Sequence, residues 1–170
     1  MPSSQSDWDA KHKLAAEVPA VEPASIVREL LPLLPTGPAL DIACGTGRHT
    51  LLLAGRGQQV TATDWSRVAL DNLAVRARAI RAPVHYTKSI REAGRSSRVG
   101  IGLVQEDLEQ AELPEGHYDL ILCVHYLQRS LFSKMVGALR PGGVLLFETY
   151  TRAQLEFAGG PRNPSMRRPV

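Results

Sequence analysis

Ala39-Leu40-Asp41-Ile42-Ala43-Cys44-Gly45-Thr46-Gly47-Arg48-His49-Thr50-Leu51-Leu52-Leu53-Ala54-Gly55-Arg56-Gly57 is the stretch on which the fold turns. The apolar run between Pro38 and Gly45 predicts a short strand covered on both faces. Gly45 and Gly47 let the backbone turn sharply and leave no Cβ between it and a ligand. The helix predicted next points free N–H groups and a positive dipole end into the same space, and glycine stops it. A strand, turn and helix of this kind form a nucleotide-binding corner at the carboxyl end of a parallel strand.

Spacing narrows the choice of nucleotide. The dinucleotide fingerprint has a third glycine three residues after the second, and that position here is Thr50. Asp41 lies inside the first strand, where a carboxylate is costly unless paired. A second acid, Asp64, ends the next apolar strand, Val60-Thr61-Ala62-Thr63. It lies about 20 residues past the turn, where a carboxylate meets ribose hydroxyls. Thr50 and the acid in the first strand therefore disfavour a nicotinamide-dependent oxidoreductase.

Alternation of strand and helix continues from there and predicts an α/β architecture, a Rossmann-like doubly wound parallel sheet with right-handed crossovers. Ile26, Val27, Leu30 and Leu31 form a helical stripe within Pro23–Leu34, which Pro32, Pro35 and Pro38 end. Ser66 is placed to cap a helix over Val68–Ala79, with Leu70, Leu73, Ala74 and Ala77 inward. Pro83–Gly100 reads as a long basic surface insertion of low order before a third strand, Ile101–Gln105. A fourth strand spans Tyr118–Val124; a helix capped by Ser130 and marked by Leu131, Met135 and Leu139 follows. Pro141-Gly142-Gly143 then turns into a fifth strand, Val144–Thr149. Met1–Asp7 is expected to be without order, and residues 1–20 to form a flexible arm before one domain over 21–170.

Composition excludes several classes. A length of 170 residues, 44% hydrophobic and 22% charged, suits one soluble domain with a proper core. A net charge of +3 is too small to indicate nucleic acid. The cluster Lys88, Arg91, Arg95 and Arg98 has no interleaved aromatics for base stacking and reads as a solvated loop. Cys44 and Cys123 are spaced for neither a metal nor a disulfide framework, so no metal site is expected and a reducing, cytoplasmic setting is the default. Met1–Leu14 contains no apolar leader core, and no run is long enough to span a membrane.

The ordered set of motifs resembles the class I S-adenosylmethionine-dependent methyltransferases, and most nearly their small tellurite-resistance-type members. The resemblance is carried by Asp41-Ile42-Ala43-Cys44-Gly45-Thr46-Gly47-Arg48, Asp64, Asp107, Tyr118–Leu122 and Leu139–Tyr150, and it covers roughly residues 36–164. Trp8-Asp9-Ala10-Lys11-His12 is similar to the family's W-D-x-x-Y opening, with His12 in place of tyrosine. In the relatives that arm covers the active site, so Trp8 is either a lid residue or an aromatic packed on the outside. The family continues past its fifth strand with a helix and two further strands. This chain ends at Val170, soon after Gly159–Pro164, so the domain is expected to lack them. An uncovered fifth strand is an exposed edge, and self-association along it is the expected outlet.

The resemblance implies S-adenosylmethionine as cofactor and a small-molecule methyl acceptor. Gly45 and Gly47 would approach its methionine part and ribose through backbone, with Cys44 and Thr46 beside them. Asp64 would accept the ribose hydroxyls, with Trp65 next to it, and Asp107 the adenine amine, with Leu108 next to it. Asp41 would either brace the turn or take the cofactor's ammonium. Arg48 and His49 place cationic side chains in the first turn of a helix, against its dipole, which suggests an anionic client. His125 and Tyr126 follow the fourth strand, where substrate-facing groups are usual. His125 has the intrinsic pKa of a general base, or else serves as pocket wall, and Tyr126 could offer its ring to the sulfonium. The alternative is a non-catalytic cofactor-binding remnant that acts through association.

Overall fold

Strand β1 (Ala39–Ile42) is buried at every position and pairs in parallel on both sides. Its partners are β2 (Val60–Asp64), likewise wholly buried, and β5 (Tyr118–Val124). Strands without an exposed face need cover above and below: the run Leu120–Val124 of β5 is apolar throughout, whereas β2, Val-Thr-Ala-Thr-Asp, carries buried threonines and an acid. The structure is a computed structural model that describes residues 4–16 and 21–150. Beyond β2 lie β4 (Ile101–Gln105) and then β3 (Val84–Thr87), and beyond β5 lies β6 (Leu139–Glu148). The sheet order is β3-β4-β2-β1-β5-β6, and every pairing among the described strands is parallel.

Side chains of alternate parity fill the two faces. Leu40, Ile42, Val104, Ile121 and Cys123 pack with the one-turn helix α5 (Ile90–Ala93) and with α6 (Leu131–Ala138). On the other face Ala39, Leu120 and Leu122 meet α2 (Ser25–Leu30) and α3 (Arg48–Gly55), and Ala62 and Leu103 meet α4 (Arg67–Ala79). This is the doubly wound α/β arrangement, and it leaves the loops after β1, β2, β4 and β5 along one end of the sheet. Ser66 caps α4 by accepting from Ala69 N at 3.1 Å. Among the described residues no helix is long and apolar enough to cross a membrane.

Several elements differ from the sequence reading. Order begins earlier than expected: helix α1 (Gln5–Ala16) forms because Ser4 and Asp7 cap it reciprocally, Ser4 N donating to Asp7 Oδ2 and Asp7 N to Ser4 Oγ. The helix expected over Pro23–Leu34 is regular only over Ser25–Leu30 and tightens to a 3-10 turn at Leu31–Leu33. Pro32 lacks the N–H that would extend it, and Ile26 and Leu30 lie exposed. The basic stretch 83–100 is not a disordered insertion: it holds edge strand β3 and α5, whose Ile90 is fully buried. Ser130 makes no side-chain cap on α6. Strand β6 starts at Leu139, and residues 140–143 bulge out between the pairs Tyr118–Leu139 and Leu120–Val144. The sheet therefore has six described strands where five were read. The expected absence of a final helix and strands, the Gly159–Pro164 loop and Val170 lie outside the described residues.

Gly47 fixes how close α3 and α4 come. Its φ is +83°, and a Cβ there would lie 2.1 Å from Leu73 Cδ1. Gly47→Ala combines left-handed strain with overpacking and should cost about 2–4 kcal/mol of stability. Urea denaturation checks this, and an unchanged midpoint would contradict the packing described.

Candidate active site

The loop after β1 enters the left-handed region three times, at Ala43, Gly45 and Gly47. One carboxylate holds it there. Asp64, at the end of β2, accepts from Gly45 N through Oδ2 at 2.8 Å and from Ser66 N through Oδ1 at 2.9 Å. Cys44 N donates to Thr63 O at 2.9 Å, which carries β1–β2 pairing into the loop. Burial pushes the Asp64 carboxyl up from its ordinary range, opposed by the amides of Ser66 and Gly45 and by nearby His12.

Asp41 braces the corner. It is fully buried and accepts from Thr50 Oγ1 at 2.6 Å, so it ties β1 to the first turn of α3. Burial raises its pKa to about 6, against the pull of the Thr50 hydrogen bonds and Arg48. His49 does not present a charge to a ligand. It is buried, its Nε2 accepts from Ala24 N at 3.1 Å, and burial lowers its pKa to about 4. The neutral ring serves the start of α2, whose N-cap residue is Ala24.

Arg48 reaches outward instead. Its Nη1 donates to Glu22 O, and its Nη2 lies 3.3 Å from His125 Nδ1. His125 follows β5 in the left-handed region, at φ +62°. Tyr126 packs against the core on the α5–α6 face and donates its hydroxyl to Gln128 Oε1 at 2.6 Å. Burial pushes that phenol well up. The remaining residues ring the same end of the sheet. Thr46 Oγ1 accepts from Arg76 Nη1 at 3.2 Å, and Trp65 O accepts from Gln105 Nε2 at 3.4 Å. Asp107 Oδ1 accepts from Glu109 N at 3.0 Å, and the buried Leu108 gives its carbonyl to Gln128 Nε2 at 3.1 Å. Cys44 is buried with its thiol pushed well up, which removes it as a nucleophile.

Helix α1 lies over this corner. Asp9 accepts from Ser66 Oγ and from Val68 N, and Asn72 Nδ2 donates to His12 O at 3.2 Å. His12 is held so close that a Cβ on Gly45 would sit 3.5 Å from its Cε1. Sequence reasoning placed Trp8 in this arm and took His12 only as a departure from tyrosine. The W-D-x-x-Y likeness was the signal available. A separate cleft of about 440 Å3 opens beside the amino end of β5, lined by Arg91, Arg95, Glu112 and His117 among others. None of the predicted site residues lines it.

The family described as a methyltransferase domain matches residues 40–147. The chain belongs to that family, and its doubly wound parallel sheet is the fold of the solved methyltransferases to which it is similar. A Haemophilus influenzae protein described only as uncharacterized is 32% identical over 125 residues, 69% of this chain and 44% of that protein. The chain thus spans less than half the length of that relative. Among solved structures, an S-adenosylmethionine-dependent methyltransferase from Mesorhizobium loti is similar with a TM-score of 0.54 at 24% identity, over 73% of this chain and 52% of the other. Phosphoethanolamine N-methyltransferase 1 of Haemonchus contortus, solved with phosphoethanolamine and S-adenosylhomocysteine, gives a TM-score of 0.59 at 17% identity, over 84% and 31%.

Asp41 makes stability depend on pH. Its pKa rises from an ordinary 3.8 to about 6 on folding, so the unfolded chain releases that proton first. Stability from this group is therefore lost as pH rises from about 4 to about 6, by roughly 3 kcal/mol. Asp41→Asn keeps an acceptor for Thr50 and should flatten that fall in urea-denaturation measurements. An undiminished slope would contradict a buried, charge-intolerant Asp41.

Proposed function

We propose that this chain binds S-adenosylmethionine at the β1–β2 corner and transfers its methyl group to a small-molecule acceptor. The observation that carries the reading is Asp64, poised at a strand end with both oxygens turned to the glycine loop and the start of α4. Each oxygen accepts one amide and retains a second acceptor site, so a ribose diol can be held without releasing the loop. At Gly45 the atom against the place a Cβ would take is His12 Cε1, at 3.5 Å, so a ligand reaches the loop backbone past His12 of α1. Asp107, two residues past β4, is the acid assigned to the adenine amine in preference to its neighbours Glu106 and Glu109, with Leu108 and Trp65 as flanking surface.

The bound cofactor supplies an electrophilic methyl group on a sulfonium. Alignment is the main task left to the protein, and orientation alone is worth roughly 7–11 kcal/mol of barrier. Rigid parts provide it here: the loop is tied by Asp64, and the first turn of α3 by Asp41 and Thr50. Arg48 and His125 stand across from that loop, at the carboxyl ends of β1 and β5. Arg48 offers a cation to an anionic acceptor, and His125 takes a proton from an acceptor that carries one. Its pKa is lowered by burial and by Arg48, with Glu148 opposing, so the ring is the neutral base at physiological pH. Trp8 and His12 of α1 act as cover that excludes water.

Calorimetry with S-adenosylhomocysteine tests the cofactor, with NAD as the comparison. A charge-assisted hydrogen bond contributes about 1.5–3 kcal/mol, so Asp64→Ala should weaken binding by roughly 10- to 100-fold. Undiminished affinity in that variant would remove Asp64 from the site. Transfer of a labelled methyl group to a small molecule of a cell extract tests the reaction itself.

A further inference from the structure

The carboxyl ends of β5 and β6 hold a second group of side chains, beyond those that surround the glycine loop. His125, at φ +62°, occupies a conformation that persists in a non-glycine residue only where its surroundings hold it. Four contacts do so. Its N–H donates to Glu148 O at 2.8 Å. Its ring stacks on Tyr150, centroids 4.7 Å apart and planes 21° from parallel. Nδ1 lies 3.3 Å from Arg48 Nη2, and Nε2 lies 3.9 Å from Glu148 Oε1. A guanidinium donates and never accepts, so Nδ1 carries no proton in this arrangement. The proton of the neutral ring is on Nε2, the atom that faces Glu148. The other carboxylate oxygen, Oε2, is buried without a partner, a costly placement.

We propose that Glu148 is the positioning residue of the acceptor site: its charge, 3.9 Å from Nε2, acts with the Arg48 guanidinium at Nδ1 to favour the Nε2–H tautomer of His125, and so keeps Nδ1 as the atom that receives a proton from the acceptor. This rests on the methyltransferase reading above and adds the acceptor's chemical class. Arg48 covers Nδ1 while the site is empty of acceptor. An anionic group draws the guanidinium to itself and uncovers the lone pair. The acceptor is thus an anion that also carries an ionisable O–H, N–H or S–H. Its proton passes to Nδ1, the bonding pair stays on the acceptor atom, and the imidazolium that results faces the Glu148 carboxylate. The groups that face the ring are Arg48 and the neutral His49 from α3, Glu148 from β6 and Tyr150 just after it. Arg48 and Glu148 act on its charge in opposite directions.

Nitrogen-15 NMR of the imidazole ring, on the whole chain without ligand, tests this. His125 is picked out from the five histidines by its loss in His125→Gln. The expected spectrum is that of an Nε2–H tautomer. The His125 titration midpoint should move to lower pH in Glu148→Gln and to higher pH in Arg48→Ala. A structural role alone would move neither tautomer nor midpoint. An Nδ1–H tautomer in the unsubstituted protein overturns the proposal, as does an unmoved midpoint in a Glu148→Gln variant of unchanged melting temperature. Should that variant fail to fold, the tautomer of the unsubstituted protein decides. Titration of the same sample with S-adenosylhomocysteine reports separately on the cofactor: no binding overturns the underlying reading, whatever tautomer is found.

Discussion

Two amides and one carboxylate hold the working end of this molecule in shape. Asp64 closes β2, and its two oxygens take the N–H groups of Gly45 and Ser66. The first fixes the loop between β1 and α3, and the second fixes the start of α4. Three successive elements thereby meet at one acid side chain. The buried charge costs folding free energy, and the amides offset part of it. Other features of the corner follow from that placement. Gly47 must lack a Cβ because α4, brought in by Ser66, puts Leu73 against it. Helix α1 then finds a ready surface, because Ser66 Oγ and Val68 N both face Asp9.

The two sides of the candidate site are built differently. On the β1–β2–β4 side, backbone groups and buried acids are rigid and largely paired. On the β5–β6 side, Arg48, His125 and Glu148 are half exposed and interact at longer range. A nearly invariant ligand suits the first, and an acceptor that must enter, lose a proton and leave suits the second. The chain belongs to a methyltransferase family, and a fold leaves its substrate open, so what is methylated depends on side chains such as these.

The parts of this arrangement that were legible in the sequence are those enforced locally. Gly45 and Gly47 announce left-handed backbone, Asp64 ends an apolar run, and Ser66 caps the helix after it. What was not legible depends on partners far along the chain. His49 reads as a cation beside Arg48 until Ala24 N, from a different helix, is seen to bond its ring. Glu148 reads as one residue near the end of a strand, and only pairing of β5 with β6 brings it to His125. Strand β3 escaped because Val84–Thr87 is short, half exposed and followed by basic residues, so nothing in its pattern separates it from a loop. Ile90, apolar among charged neighbours, was the one signal that residues 83–100 are packed. The reciprocal pair Ser4 and Asp7 was likewise present in the sequence as a cap and went unread.

The central claim is that the space between the β1 loop and the end of β2 is where a methyl-donor cofactor sits. Backbone amide shifts recorded on addition of S-adenosylhomocysteine to the nitrogen-15-labelled protein address it most directly. The largest changes are expected at Gly45–Arg48, at Asp64–Ser66 and at Asp107–Leu108, with α1 responding through His12. Changes centred instead on the Arg91, Arg95 and His117 cleft at the other end of the sheet, or none at saturating ligand, would contradict it.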